Sequence, residues 1–231
     1  MIWLAMDTST DRAVLAVRDQ SGIIHAEVFE AGRRHGRDLI PWLRDLLGTA
    51  GLSVDDLEGI AVGRGPGSYT GTRVGVTAAK TLAYATGARL VGLDTLQAIA
   101  RKAPSDARSI SVIADAQRGE VYVVELVRPK PGMVPVARGE TRIEELGAWL
   151  GKLETGTVVM GPALDLPRIR SALPPEAVAA VDDPGSPAGE DLIAMADEAV
   201  ASNRVENPWL LEPLYLRRSA AEDQWDARLA P

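Results

Sequence analysis

Gly63-Arg-Gly-Pro-Gly-Ser-Tyr-Thr-Gly-Thr-Arg-Val-Gly75 places five glycines in thirteen residues. It sits between a short apolar run, Gly59 to Gly63, and a segment from Arg73 to Thr86 whose small and aliphatic residues recur at helical spacing until Gly87. The stretch therefore reads as a strand end, a tight turn and a helix N-terminus. Glycines allow positive φ and close backbone approach, and the first N–H groups of a helix favour an anion. Two readings stay open: a loop that cradles an anion, or a turn whose glycines serve packing alone. The spacing excludes a Walker A loop and a dinucleotide fingerprint, because neither G-x-x-x-x-G-K-[ST] nor G-x-G-x-x-G is present.

Working outward toward the N-terminus, Ile2 to Met6 leads into the polar turn Asp7-Thr-Ser-Thr10. Ala13 to Arg18 returns as a second strand, and Ser21-Gly22 joins it to a third from Ile23 to Phe29. Leu39, Leu43, Leu46 and Leu47 follow at helical spacing, with Gly48 and Gly51 to end the helix and Pro41 acceptable only in its first turn. Ser53 with Asp56 reads as a capping pair. Beyond the glycine segment, Leu90 to Leu93 is a strand and Thr95 the expected cap of a helix reaching Lys102. After Ala103-Pro-Ser-Asp106 the order starts over. Strands are expected at Ile110 to Ala114, Glu120 to Val127 and Thr157 to Met160, with Thr141-x-x-Glu144 capping a helix to Leu150 and a last helix from Asp191 to Val200. The sequence is mixed α/β twice over, with an acid, Asp7 or Asp115, after the first strand of each half.

The chain of 231 residues is 46% hydrophobic and 25% charged, an ordinary balance for a folded domain or two. Its net charge of −7 sets the surface against a phosphate backbone, so any RNA is expected to be held by another subunit. There is no cysteine, which excludes disulfides, thiolate metal sites and thiol catalysis and fits a cytoplasmic protein. The apolar start, Met1 to Met6, is too short for a signal peptide core or a membrane span and reads as a strand. The only histidines, His25 and His35, lack metal-ligand spacing. No G-x-S-x-G elbow is present, and nothing supplies a base for Ser68.

The GPGSYTGTRVG segment resembles the TsaB (YeaZ) family. It occurs with Asp7-Thr-Ser-Thr10 before it, Ala79-Lys80 on the next helix, and Asp115-Ala with Arg118-Gly-Glu-Val-Tyr122 in the second half. Pro213-Leu-Tyr-Leu-Arg217 follows near the end, so the likeness covers nearly the whole chain in order. The resemblance implies an α/β protein of the actin-like ATPase (ASKHA) fold, with two lobes each built from a mixed sheet and helices. The first lobe is expected over 1–103, with 213–231 returning to it, and the second over 104–212. It further implies a non-catalytic scaffold that binds TsaD and supports TsaE in making threonylcarbamoyladenosine on tRNA. The histidine pair of TsaD-like catalytic subunits, His-x-x-x-His, is missing here. ATP or ADP is expected only at an interface with partner subunits, and tRNA only through the complex.

Asp7, Ser9, Thr10, Gly65, Gly67, Ser68 and Asp115 form the expected nucleotide cleft of such a fold, degenerate in this chain because Gly161-Pro-Ala163 supplies a single glycine to the second phosphate loop. The rival is an active phosphotransferase using Asp7, the Ser68 loop and Asp115. Asp, Ser and Thr in a turn also bond locally, which is the simpler account of Asp7. The two first-lobe helices are the expected surface for TsaD or for a homodimer, through His35, Leu39, Leu43, Leu46, Arg73, Val74, Val76 and Lys80. Leu39, Ile40, Trp42, Leu43, Leu46 and Leu47 make an apolar arc wider than one sheet-facing stripe needs.

Overall fold

The computed structural model describes residues 1–30, 35–178 and 185–217, with only the backbone of His35. Strands β1 (Trp3–Asp7), β2 (Arg12–Arg18) and β3 (Ile24–Glu30) form the N-terminal meander. Helix α1 (His35–Thr49) and a single 3₁₀ turn lead to β4 (Gly59–Gly63), and helix α2 (Tyr69–Thr86) leads to β5 (Arg89–Leu93). These strands make one mixed sheet in the order β3-β2-β1-β4-β5, antiparallel across β1–β2–β3 and parallel across β1–β4–β5. The parallel pairs need crossover helices, and α1 and α2 are those crossovers.

Helix α3 (Thr95–Ala100) links to the second half, where β6 (Ser109–Gln117), β7 (Glu120–Val127), β8 (Val136–Ala137), β9 (Arg142–Glu145) and β10 (Thr157–Met160) form the second sheet. The short helices α4 (Leu146–Leu150) and α5 (Pro167–Arg170) cover one face of it, while α3 packs on the other. Two mixed sheets, each with its own helices, give the expected two-lobed actin-like α/β fold. Helix α6 (Gly189–Ala201) lies late in the chain yet packs Leu192, Ile193 and Ala196 against Trp3, Ala5 and Ala16 of the first sheet. The stretch expected to form the second lobe therefore contributes its last helix to the first. The C-terminal stretch also returns there: Leu211 joins the first-lobe core and the Leu214 N–H donates to the Arg64 carbonyl at 2.8 Å, while 218–231 lie outside the described residues.

Several local expectations are corrected. Helix α2 begins at Tyr69 and not Arg73, because Ser68 Oγ accepts the Gly71 N–H and so caps it four residues earlier. Asp94, not Thr95, caps α3, its carboxylate accepting the Gln97 N–H at 3.0 Å. Thr141-x-x-Glu144 caps nothing. Arg142–Glu145 pairs with β7 as a strand, and Glu145 caps α4 by accepting the Gly147 and Ala148 N–H groups. Pro41 stands inside α1, beyond its first turn, where both it and Arg37, whose carbonyl loses a partner, are exposed to water.

Arg18 fastens α6 to the meander through a two-pronged pair with Asp197, at 2.5 and 2.8 Å, and Trp3 Nε1 donates to the same carboxylate at 2.8 Å. The Arg18 hydrogen bond holds the Asp197 carboxyl below its usual range, against the opposing effect of desolvation. A carboxyl depressed in the folded state adds stability above its unfolded pKa, and that stability is lost as pH falls through the folded value. Asp197→Asn should therefore melt below wild type at pH 7, and the difference should shrink below about pH 4. A gap independent of pH in melting curves would refute this account of the pair.

Candidate functional site

The turn after β1 is wholly internal. Asp7, Thr8 and Ser9 are at most 1% exposed. Asp7 Oδ1 accepts the Ser9 N–H at 2.8 Å and the Ser9 hydroxyl at 2.7 Å, while Oδ2 accepts the Thr95 hydroxyl at 2.6 Å. Thr95 Oγ1 also accepts the Gly65 N–H at 3.1 Å, so one carboxylate ties the first turn, the glycine loop and α3 together. Such a buried network stabilises only when each member is satisfied.

The glycine segment closes down on this turn. The Ser68 N–H donates to the Ser9 carbonyl at 2.7 Å, and the Thr8 hydroxyl donates to the Gly71 carbonyl at 2.7 Å. A Cβ at Gly67 would lie 2.2 Å from the Ser9 carbonyl oxygen, and one at Gly71 2.1 Å from that of Thr8. Gly63 and Gly75, at the same spacing of four, meet Asp7 and Thr8 as closely. The protein's own backbone and carboxylate thus occupy the side of the glycine segment that faces the first turn, which accounts for these glycines by packing.

The expected cleft residues fall into three places. Asp7, Ser9 and Gly65 belong to the buried network. Thr10, whose hydroxyl donates to the Arg12 carbonyl, lines a pocket of about 170 Å³ with Asp11, Arg12, Glu30, Pro162 and Asp165. That pocket lies between the first turn and the Gly161-Pro-Ala163 turn and is below the ~300 Å³ at which ligand pockets begin. Gly67, Ser68 and Asp115 line a separate space of about 770 Å³ between the lobes. Asp115 pairs with Arg168 at 2.9 Å and accepts the Gln117 N–H at 2.9 Å. Among the described residues, no group of three or more His, Cys, Asp or Glu is placed to hold a metal ion. No described helix is long and apolar enough to cross a membrane.

The helix surface differs from the expected one. Leu39, Leu43, Leu46 and Val76 are 2–3% exposed and belong to the first-lobe core. The wide apolar arc of α1 has an internal explanation: its second side carries Trp42, stacked on Phe29 of β3 with centroids 4.3 Å apart. Arg73 and Lys80 hold the C-terminal strap, Arg73 Nε donating to the Tyr215 hydroxyl at 2.7 Å and Lys80 Nζ to the Leu211 carbonyl at 2.8 Å. What remains open is a groove of about 590 Å³ between α1 and α2, with Ile40, Tyr69, Val74, Ala78 and Leu82 among its walls and Leu39 at its base. Of the expected interface residues, Val74, Arg73 and Leu39 reach it. Ile40, counted in the expected apolar arc, is 56% exposed there, whereas Tyr69, 48% exposed, was missed because periodicity does not reveal which apolar residue is left over once the sheet is covered. The strap's hold on Arg73 joins positions 142 apart and had no local signal.

Comparison with known proteins supplies the family. The family model for TsaD, tRNA N6-adenosine threonylcarbamoyltransferase, matches residues 19–136. The chain is 29% identical to the tRNA threonylcarbamoyladenosine biosynthesis protein TsaB of Escherichia coli K12, covering 94% of this chain and 95% of that one. It is 35% identical over 122 residues to TsaB of Bacillus subtilis 168, covering 53% of each. YeaZ from Pseudomonas aeruginosa superposes with a TM-score of 0.78 at 25% identity, over 93% of this chain and 99% of that one. With the TsaD-type model spanning half its length and a TsaB relative and the YeaZ fold matching nearly all of it, this chain belongs to the TsaB (YeaZ) family of TsaD-related proteins.

Proposed function

We propose that this protein is a non-catalytic scaffold subunit of the tRNA threonylcarbamoyladenosine machinery, working in the cytoplasm. It binds a TsaD-type catalytic subunit through the α1–α2 groove and supports the action of TsaE. The observation that carries this reading is the filled first-lobe turn: Asp7, the acid expected to serve a nucleotide's metal, is fully buried and bonded to Ser9 and Thr95. The apolar groove supports the partner half of the reading, since Tyr69 is of a type enriched at interfaces and Ile40 beside it leaves apolar area exposed. The same groove serves a homodimer when the catalytic subunit is absent.

The rival, an active phosphotransferase, is tested by calorimetry. The isolated chain should show no saturable ATP–Mg²⁺ binding up to millimolar nucleotide and should bind TsaD at a stoichiometry of one. Tight nucleotide binding with hydrolysis, or no association with TsaD, overturns the scaffold reading. Asp7→Ala separates structure from chemistry at the same site. It leaves the Ser9 N–H and two buried hydroxyls without their acceptor, at a cost of about 3 kcal/mol or a melting shift of roughly 6–12 °C. Modification activity of the reconstituted complex, measured per folded subunit, should stay within a few-fold of wild type. A hundredfold loss with partner affinity intact would assign Asp7 a chemical role. Binding of tRNA to the isolated chain should be weak at physiological salt, because the net charge of −7 repels phosphate.

A further inference from the structure

Three of the segments that carry the family resemblance wall one space, and of their residues only Tyr69 and Thr70 also border the α1–α2 groove. The 770 Å³ interlobe cleft is lined by Ser68 to Thr70 of the glycine segment, Asp115 to Arg118 with Tyr122, and Pro213 to Arg217 of the strap. The strap bridges the lobes. Tyr215 lies 5.8 Å from Tyr69, and Arg217 pairs with Glu120 of the second lobe. Three tyrosines, Arg118 and the Glu120-paired Arg217 thus line the cavity in a chain whose overall charge is −7.

The β6–β7 hairpin is held in an uncommon form. Gln117 and Arg118 both have left-handed backbones, φ 63° and 53°, next to Gly119 at 83°, with a bulge between Asp115 and Gln117. A two-residue hairpin turn of this type favours Asn or Asp before the glycine, and a long side chain in the left-handed region costs about 1–2 kcal/mol. Asp115, fixed by Arg168, bonds the Gln117 N–H and holds the bend. The result places the exposed Gln117 and Arg118 on the rim of the cleft. Backbone strain maintained by surrounding structure at a cavity edge is a recurrent sign of a binding site.

We propose that this cleft binds single-stranded RNA, taking about two unpaired nucleotides of a loop: a guanidinium meets phosphate while the tyrosines stack on bases. Aromatic platforms beside basic side chains are the chemistry by which unpaired bases are held, and a space of about 770 Å³ has room for a few bases and not for a duplex. Asp115, Gln117 and the Ser68 and Thr70 hydroxyls supply donors and acceptors for base edges. This inference rests on the assignment to a tRNA-modifying assembly. It adds a direct contact that the acidic surface as a whole argues against, and it makes that contact local and weak.

The test uses the full chain and fluorescence anisotropy of a labelled eight-nucleotide RNA, free or annealed to its complement, at about 50 mM salt. The single strand should bind at least tenfold more tightly than the duplex. Arg118→Gln should weaken single-strand binding at least fivefold and flatten its salt dependence by about one phosphate contact, with the chain still folded at the assay temperature. Equal binding of strand and duplex overturns the proposal, as does no binding up to about 200 µM protein or an Arg118→Gln variant that binds as wild type. If Arg118→Gln fails to fold, Gln117→Ala is read in the same way, with at least a threefold loss expected and none overturning the proposal. Titrating the wild-type chain with TsaD in parallel keeps the outcomes apart, since a failed RNA site leaves that association intact and a failed scaffold reading abolishes it.

Discussion

Leu43→Asp is expected to cost the folded chain about 5 kcal/mol or more, while Ile40→Asp, three residues earlier on the same helix, should cost almost nothing. Leu43 is 3% exposed within the first-lobe core. Removing a buried leucine side chain forfeits about 2–5 kcal/mol, and a carboxylate without a partner adds a further desolvation penalty. Set against a total stability of about 5–15 kcal/mol, the variant should be largely unfolded or melt far below wild type. Ile40 is 56% exposed on the rim of the α1–α2 groove. Its replacement should leave melting within a few degrees and lower TsaD affinity at least tenfold, which is ~1.4 kcal/mol. Thermal melting and titration of both variants check the pair. Normal binding by a folded Ile40→Asp chain would remove the groove from the interface.

Gly71→Ala should also be strongly destabilising, against the direction that helix propensity gives. Alanine in place of a helical glycine ordinarily gains about 1 kcal/mol. Here the added Cβ would lie 2.1 Å from the Thr8 carbonyl oxygen, a backbone atom that cannot swing aside. Relief requires α2 to draw back from the first turn, which strains the Thr8–Gly71 and Ser68–Ser9 hydrogen bonds. A net loss of about 2–3 kcal/mol is expected from overpacking of this kind. Gly48→Ala is the control: it lies near the end of α1 with nothing within 4 Å of a new Cβ, so it should melt at or slightly above wild type. Denaturant midpoints of the two variants decide the matter, and a Gly71→Ala chain as stable as Gly48→Ala would mean that the close packing of α2 on the turn is not required.

Both expectations turn on facts of different origin. That residues near 39–47 form a helix follows from the spacing of four leucines, and that a glycine-dense turn opens the next helix follows from local chemistry. The strands fared best where the pattern was local and complete: Gly59–Gly63, Glu120–Val127 and Thr157–Met160 have the expected bounds. Caps were less legible: Asp94 beside Thr95 offers the backbone an equivalent oxygen one residue away, and Glu145 caps α4 four residues past the expected Thr141 because Arg142–Glu145 is drawn into the sheet.

The sequence by itself determined the α/β class, the repeated order of elements and the family, because apolar periodicity, turn residues and a long specific motif are properties of neighbours along the chain. The tertiary structure alone decided how those parts are used. Thr95, 88 residues from Asp7, consumes the second carboxylate oxygen of the expected nucleotide site. Phe29 of β3 takes Trp42, one of the α1 residues that sequence offered to a partner, and leaves Ile40 exposed. Helix α6 returns to the first sheet through Arg18 and Asp197, 179 residues apart. In each case the deciding contact joins residues distant in the chain. A side chain's hydrophobicity or charge states what it must find on folding, but whether it finds it within the molecule or leaves it for a partner depends on which distant elements the fold brings beside it.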